Sequence, residues 1–255
     1  MAGSVAADAL VTVDDTAGYV RLVLIVAVLA GLAALVNRLG GLQLAREDLV
    51  AAARATVQLA LVGVVIAVVL RSWWLTAAFV LVMVGVAALT SGRRLVPGGR
   101  WWWALAPIAV GALPVGAVLL VSGLIPIQEV AVVPVLGILI GGAMTATTLA
   151  GRRILDALRQ RRGEVEAGLS IGLETRDARL LIGRADAGLA LLPGLDQTRT
   201  VGLVTLPGAF VGMLLGGASP LQAAAVQLLV LVALLLVQAL SVVVTVELVA
   251  RDVLR

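Results

Sequence analysis

The chain has 255 residues and a net charge of +4, and 61% of its residues are hydrophobic whereas 13% are charged. An ordinary soluble domain contains about 45–50% apolar and 25% charged residues. Its interior is too small to bury the excess of apolar side chains found here. The composition therefore excludes a soluble enzyme and predicts side chains that face lipid. The sequence contains no lysine, histidine or cysteine. The absence of lysine excludes a Walker A nucleotide site. The absence of cysteine and histidine excludes disulfides, Cys/His metal sites and a Ser-His-Asp triad.

Seven apolar runs follow one another along the chain, each near the roughly 20 residues that a spanning helix needs. They cover residues 19–36, 49–70, 75–90, 103–122, 130–150, 200–217 and 221–250. We therefore predict an all-α fold, a polytopic integral membrane helical bundle with about seven transmembrane helices, in a single domain over residues 1–255. A charged segment, residues 151–186, separates the fifth predicted span from the sixth.

The arginines lie mostly on one side of these spans. With the N-terminus outside, the inner loops and the C-terminal tail hold Arg38, Arg46, Arg93, Arg94, Arg100, Arg152, Arg153, Arg159, Arg161, Arg162, Arg176, Arg179, Arg184, Arg251 and Arg255. The outer side keeps only Arg21 and Arg71, so the positive-inside rule predicts an N-out, C-in topology. This distribution, with few aromatic neighbours, argues against nucleic acid as a partner. The first span is predicted to stay as an anchor, since Asp8, Asp14 and Asp15 stand where a cleavable signal peptide is basic.

Polar residues within the predicted spans are candidates for a transport path, because they cost free energy in lipid. They are Gln58, Thr145, Thr147, Thr148, Thr205, Gln227, Gln238, Ser241 and Thr245. The hydroxyls can instead bond to the preceding helical turn, and the amides of Gln58 and Gln227 can either line a cavity or bond neighbouring helices. Arg54 either reaches the headgroups or contacts substrate. Asp196 and Arg199 can pair on a helix, as a structural ion pair or as part of an inner gate.

The charged segment 151–186 is the feature that points most directly to function. Its first part, residues 152–159, is predicted to continue the fifth span as a charged helix. Residues 164–172 then predict a short helix that lies along the membrane surface and enters a groove on a partner. Gly168 and Gly172 would let the backbone turn and approach that partner closely.

Several blocks of the sequence resemble known transport proteins. Glu166-Ala167-Gly168 followed by Gly172 resembles the Glu-Ala-Ala-x-x-x-Gly loop of bacterial ABC-transporter permeases, with Gly168 in place of the second alanine. More specific blocks resemble the FetB/UPF0014 permease family: residues 54–63, 133–144, 196–208 and 216–227, with Gly142 where that family has asparagine. The similarity keeps the same order and spacing from Arg54 to the C-terminus.

This resemblance implies a permease subunit, multi-pass in a bacterial cell membrane, that exports iron or another metal ion. ATP and Mg²⁺ would be bound by a separate ABC ATP-binding subunit, so the resemblance implies no cofactor, metal site or catalytic residue in this chain. The implied partners are that subunit, a second permease copy and the lipid bilayer. The residues implied for docking of the ATPase are Glu166, Ala167, Gly168 and Gly172. The residues implied for the translocation path or gate are Arg54, Gln58, Asp196, Arg199, Thr205, Pro207 and Gln227.

Three alternatives stay open. The chain has no Cys or His, and Glu247 is nearly the only carboxylate in a span, so its side chains are poor ligands for a bare transition metal. The metal would therefore cross as a chelate, or the cargo would be an organic solute such as a nucleotide sugar. A non-transporting membrane scaffold would use the arginine-rich segment to contact protein or anionic lipid. An intramembrane enzyme would need a polar catalytic cluster, which a chain without His, Cys or Lys does not offer.

Overall fold

Long runs of Leu, Val and Ala form helices here because a chain in lipid must satisfy its own backbone hydrogen bonds. The structure is a computed structural model that describes residues 15–253. The predictions made for Asp8, Asp14 and Arg255 fall outside these residues. The α-helices are α1 Thr16–Leu39, α2 Ala45–Val69, α3 Trp73–Leu95, α4 Leu105–Val121, α5 Glu129–Gln160, α6 Arg162–Ser170, α7 Thr175–Gly188, α8 Leu192–Thr200, α9 Gly208–Leu215 and α10 Pro220–Ala250.

The predicted fold class is confirmed: the chain is a polytopic helical membrane protein. Within residues 15–253, six helices are long and apolar enough to cross a membrane. These are α1, α2, α3, α5, α10 and a composite of α4 with the 3₁₀ turn Trp101–Ala104 that precedes it. They match six of the seven predicted spans to within a few residues, apart from the C-terminal extension of α5. The other predicted span, residues 200–217, has a different form.

The helices form two units, one ending at Arg71 and the other beginning at Ser72. In the first unit α1 packs against α2. Asp15 caps the start of α1 by accepting a hydrogen bond from Gly18 N at 2.6 Å. The amide of Asn37 donates to the Asp48 carboxylate at 2.5 Å, which joins the end of α1 to the start of α2. The single domain over residues 1–255 stays a prediction.

In the second unit α5 and α10 lie at the centre and pack against each other; both contact α4 and α7, and α5 also contacts α3. Its fully buried side chains include Ile108, Leu139, Ile154 and Leu231. Small residues let the helices approach closely: a methyl group at Gly111 of α4 would lie 2.2 Å from Ser241 Oγ of α10.

The directions of α4, α5 and α10 follow from these contacts. Ser241 Oγ donates to the carbonyl of Pro107 at 3.1 Å, and Gly111 approaches Val237 and Ser241, so α4 and α10 are antiparallel. Further along α4, Gly116 packs on Leu136 of α5, whereas Gly142 of α5 packs on Leu234 of α10. Helix α5 is therefore antiparallel to α4 and parallel to α10.

Two parallel spans require the chain between them to recross the bilayer. That return is made by a broken path: the 3₁₀ turn Leu189–Leu191, then α8, then a turn at residues 201–207, then α9. The 8 residues of α9 reach only about 12 Å, which is too short to span. The predicted span over residues 200–217 is therefore present as a discontinuous crossing, the sixth in chain order, because Gly202 and Pro207 interrupt the helix.

Candidate coupling hairpin and translocation path

Helix α6 follows α5 with almost no linker. Arg161 is both the residue that ends α5 and the residue that precedes α6. Helix α5 has 32 residues, roughly 48 Å, so it extends well beyond a hydrocarbon core of about 30 Å. This confirms the predicted charged extension of the fifth span and places α6 outside the membrane.

A tight turn joins α6 to α7. Gly172 has a φ of +93°, a conformation that only glycine adopts without strain. Its N–H donates to the carbonyl of Leu169 at 3.0 Å, and the N–H of Leu173 donates to the carbonyl of Gly168 at 3.1 Å. These two bonds form a Schellman motif. The predicted turn at Gly172 is therefore present.

The docking residues predicted from the sequence divide into exposed and buried positions. Gly168 is buried, because a methyl group there would lie 3.3 Å from both Ala178 Cβ and Leu173 Cδ1. The close approach that Gly168 permits is thus to α7 of the same chain. Glu166, Ala167 and Gly172 are exposed, and the Glu166 carboxylate pairs only with the exposed Arg162 of its own helix, at 2.8 Å. Three of the four residues therefore remain accessible, Glu166 and Ala167 on α6 and Gly172 in the turn that follows it.

Helix α7 is bonded to the end of α10. The guanidinium of Arg176 donates two hydrogen bonds to the Glu247 carboxylate, at 2.7 and 2.9 Å. Arg179 pairs with Asp252 at 3.2 Å. The hydrogen bond to Glu247 raises the pKa of Arg176 above its ordinary value, so this link stays charged at physiological pH.

Helix α7 is also bonded to the end of α5. Arg161 pairs with Asp186 and donates to the carbonyl of Ile182 at 2.7 Å. A methyl group at Gly183 would lie 2.5 Å from Ile154 Cγ1. We call the three ion pairs Arg161–Asp186, Arg176–Glu247 and Arg179–Asp252 the α7 clamp. The clamp joins the α6–α7 hairpin to the ends of both central helices.

The predicted gate residues of the sixth crossing lie on its interrupted part. Asp196 and Arg199 pair at 3.5 Å on α8, and both side chains are about two-thirds exposed, at 68% and 69%. The carbonyl of Thr205 accepts a hydrogen bond from Gly202 N at 2.9 Å, which forms the turn between α8 and α9. Pro207 directly precedes α9. The predicted Asp196–Arg199 ion pair is present.

Two glutamines of α10 carry buried amide oxygens. Gln227, one of the predicted path residues, is only 6% exposed. Its Oε1, like that of Gln238, has no hydrogen-bond partner among residues 15–253. Gln238 is one of the polar span residues of the sequence, but it is not among the residues predicted for the path. The available signal was its spacing: it follows Gln227 by three helical turns and so lies on the same face of α10.

Gln238 lies beside the broken crossing. A methyl group at Gly194, in the first turn of α8, would lie 2.0 Å from Gln238 Oε1. Gln238 is about 13 Å along α10 from Glu247, which is near half of a hydrocarbon core of about 30 Å. Asp196 and Arg199 follow Gly194 by about half a turn and one and a half turns of α8, so their ion pair lies near the depth of Gln238.

Hydroxyl groups of the spans bond both within and between helices. Thr148 and Thr245 donate to carbonyls of the preceding turn, Met144 at 2.9 Å and Ser241 at 2.7 Å, as the sequence interpretation has it. Ser91 Oγ and Thr148 Oγ1 are also 2.9 Å apart and join α3 to α5. Thr147 Oγ1, by contrast, has no hydrogen-bond partner among residues 15–253. Arg54 and Gln58 lie one turn apart on α2 of the first unit.

Metal ligands do not cluster in the described chain. Within residues 15–253 no three Asp, Glu, His or Cys residues are close enough to hold a metal ion.

Comparison with known proteins places the chain in a family. The profile of the uncharacterised protein family UPF0014 matches residues 20–254. The chain belongs to the UPF0014 family. This confirms the resemblance predicted from the sequence blocks. No solved structure matches the chain.

Members from plants and bacteria are similar to the chain. The UPF0014 membrane protein STAR2 of rice is 36% identical over 190 residues, 72% of this chain and 66% of the rice protein. The Protein ALUMINUM SENSITIVE 3 of Arabidopsis thaliana is 33% identical over 205 residues, 78% of this chain and 74% of the plant protein. A protein of Escherichia coli named as a probable iron export permease, FetB, is 34% identical over 134 residues, 52% of each chain.

Proposed function

We propose that this chain is the membrane-spanning permease subunit of an ABC transporter, and that a separate subunit binds Mg²⁺ and ATP and hydrolyses the nucleotide. The observation that carries the proposal is the α6–α7 hairpin. It presents an exposed helix outside the membrane, and the α7 clamp bonds it to the ends of α5 and α10. A helix laid into a groove of a partner is a common mode of docking.

Movement of a docked partner would reach the membrane through short rigid links. Arg161 is the only residue between α5 and α6, and Arg176 contacts Glu247 through two hydrogen bonds. ATP binding at the partner would then shift the population between inward- and outward-open arrangements of α5 and α10.

The broken sixth crossing is the proposed translocation path. Discontinuous helices at mid-membrane commonly form transport sites, because their polar backbone groups are tolerated only where they line a cavity. Gln238 packs on Gly194 of α8, and the Asp196–Arg199 pair follows on the same helix. Ionisable residues within a membrane mark such paths. A second copy of the chain would complete the path, since seven crossings enclose little space.

The proposed cargo is iron or another metal ion, in keeping with the name of the Escherichia coli relative. Amide and hydroxyl groups, and one acid–base pair, suit a chelated metal better than a bare ion. An organic solute rich in hydroxyls, such as a nucleotide sugar, is the alternative that the same side chains favour. The proposed location is the bacterial cell membrane.

Docking on α6 is tested by Ala167→Glu, which places charge and bulk on the exposed face of that helix. The matched control is Ala185→Glu, the same change at an exposed position of α7. We expect the A167E chain to fail to copurify with its ATP-binding subunit and to lose transport-coupled ATP hydrolysis, whereas A185E retains both. Copurification of A167E at the level of the unaltered chain would contradict docking through α6.

A further inference from the structure

The 3₁₀ turn Trp101–Ala104 packs directly on the end of α3. A methyl group at Gly92 would lie 2.6 Å from both Cα and the carbonyl oxygen of Trp101, so the turn touches the backbone of the helix. Trp103 anchors the turn, since only 3% of it is exposed, whereas Trp101 and Trp102 are 37% and 48% exposed. The turn thus holds two indole rings at the surface.

A second pair of tryptophans marks the opposite end of α3. Trp73 and Trp74 begin the helix and are 45% and 86% exposed. From Trp74 to Gly92 the helix advances about 27 Å, close to the roughly 30 Å thickness of the hydrocarbon core. Tryptophan is enriched where the hydrocarbon meets the headgroups. The 3₁₀ turn therefore lies at one headgroup level and Trp74 at the other.

Exposed arginines surround the 3₁₀ turn. Arg93 and Arg94 form the last turn of α3, and the guanidinium of Arg100 lies 4.6 Å from the centre of the Trp102 ring. Beside them, Gly151 of α5 packs on Leu95, with a methyl group there 2.5 Å from Leu95 Cδ1. That contact brings the next two residues of α5 to the same place. They are Arg152 and Arg153, both exposed.

These five arginines differ from others at the same end of the molecule. Arg159 pairs with Asp156 at 3.1 Å and Arg162 with Glu166 at 2.8 Å. Within residues 15–253, by contrast, Arg93, Arg94, Arg100, Arg152 and Arg153 have no acidic partner and no hydrogen-bond acceptor. Their charge is left uncompensated by the protein.

We infer that Arg93, Arg94, Arg100, Arg152 and Arg153, together with Trp101 and Trp102, bind the phosphate of an anionic phospholipid. We call these residues the arginine–tryptophan patch. Guanidinium groups match the geometry of a phosphate, and basic residues at the headgroup level attract anionic lipids. The indole rings would contact the glycerol and the first part of the acyl chains.

The position of the patch favours lipid over a protein partner or a free anion. Its depth is that of the headgroups, whereas α6 extends beyond the membrane. The opposite end of the second unit offers no equivalent, because the loop of residues 122–128 between α4 and α5 contains no charged side chain. The bound lipid therefore belongs to the leaflet on the side of α6 and α7.

The test is the retention of phosphatidylglycerol by the purified full-length chain in a neutral detergent, measured by native mass spectrometry, with phosphatidylcholine as the reference lipid. The variant is R93Q/R100Q. The matched control is R159Q/R162Q, which removes the same charge from the same side of the membrane. We expect the affinity of R93Q/R100Q for phosphatidylglycerol to fall roughly 10- to 30-fold, with phosphatidylcholine unaffected, and the control to change less than about 2-fold.

Three results would overturn the inference. One is an unchanged affinity of R93Q/R100Q for phosphatidylglycerol, and another is an equal loss in the control. The third is complete displacement of the lipid by millimolar inorganic phosphate, which would make the patch a site for a free anion. Both variants alter exposed side chains only, so their size in detergent and their helical content should match those of the unaltered chain.

Discussion

Gln238 is the residue that most directly tests the proposed translocation path. Its amide oxygen is buried and has no partner within residues 15–253, and such a group costs about 1–3 kcal/mol. We expect Gln238→Met, which keeps the size and removes the amide, to leave the protein as stable or to raise its free energy of unfolding by about 1 kcal/mol. If the amide contacts the cargo, transport of an iron chelate or of a nucleotide sugar into vesicles should fall at least several-fold.

Ser241 provides the opposite case on the same helix. Its hydroxyl donates to the carbonyl of Pro107 across the interface with α4, so it is bonded within the structure. Ser241→Ala should lower the stability by about 1 kcal/mol and leave the transport rate per folded molecule unchanged. Two measurements on Q238M and S241A, thermal unfolding in detergent and transport into vesicles, distinguish a role in transport from a role in packing. A Q238M chain that is less stable but transports normally would assign Gln238 to packing.

At the scale of helices, the α7 clamp connects a surface hairpin to the membrane bundle. The Arg176 and Glu247 side chains are 39% and 31% exposed, so the pair contributes little to folding stability in water; its proposed role is the transmission of movement. We expect Arg176→Glu to leave copurification of the ATP-binding subunit intact, because α6 is unaltered. ATP hydrolysis should continue, while cargo transport per ATP falls several-fold.

A charge swap tests whether the pair itself is responsible. The double variant R176E/E247R should recover part of the lost coupling, and only part, because Asp177 and Arg251 still lie beside the exchanged charges. Arg159→Glu is the control, since its pair with Asp156 lies within α5 and joins no two helices. Normal coupling in R176E would show that movement reaches α10 by another route.

At the scale of the whole molecule, the sequence predicted most of the fold because hydropathy alone determines which segments enter lipid. Six spans were predictable for that reason, whereas the extension of α5 followed from its charged helical segment and the turn at Gly172 from the conformational freedom of glycine. The form of the sixth crossing was not, since hydropathy averages over the interruption at Gly202 and Pro207. Nor was the burial of Gly168, because its contact with Ala178 depends on how α6 folds back onto α7. Local patterns carry no information about such contacts.

Chain direction through the membrane is the remaining prediction at this scale, and the absence of cysteine from the sequence makes it simple to measure. With the N-terminus outside and a discontinuous sixth crossing, residues 122 and 221 lie outside and residue 170 lies inside. On intact cells, a membrane-impermeant maleimide should label Ser122→Cys and Leu221→Cys, and it should label Ser170→Cys only after permeabilisation. The unaltered chain is the control for background. Labelling of S122C and L221C from opposite sides would mean that residues 189–217 do not recross the bilayer. Labelling of S170C on intact cells would place the α6–α7 hairpin outside the cell, where no cytoplasmic ATPase could bind it.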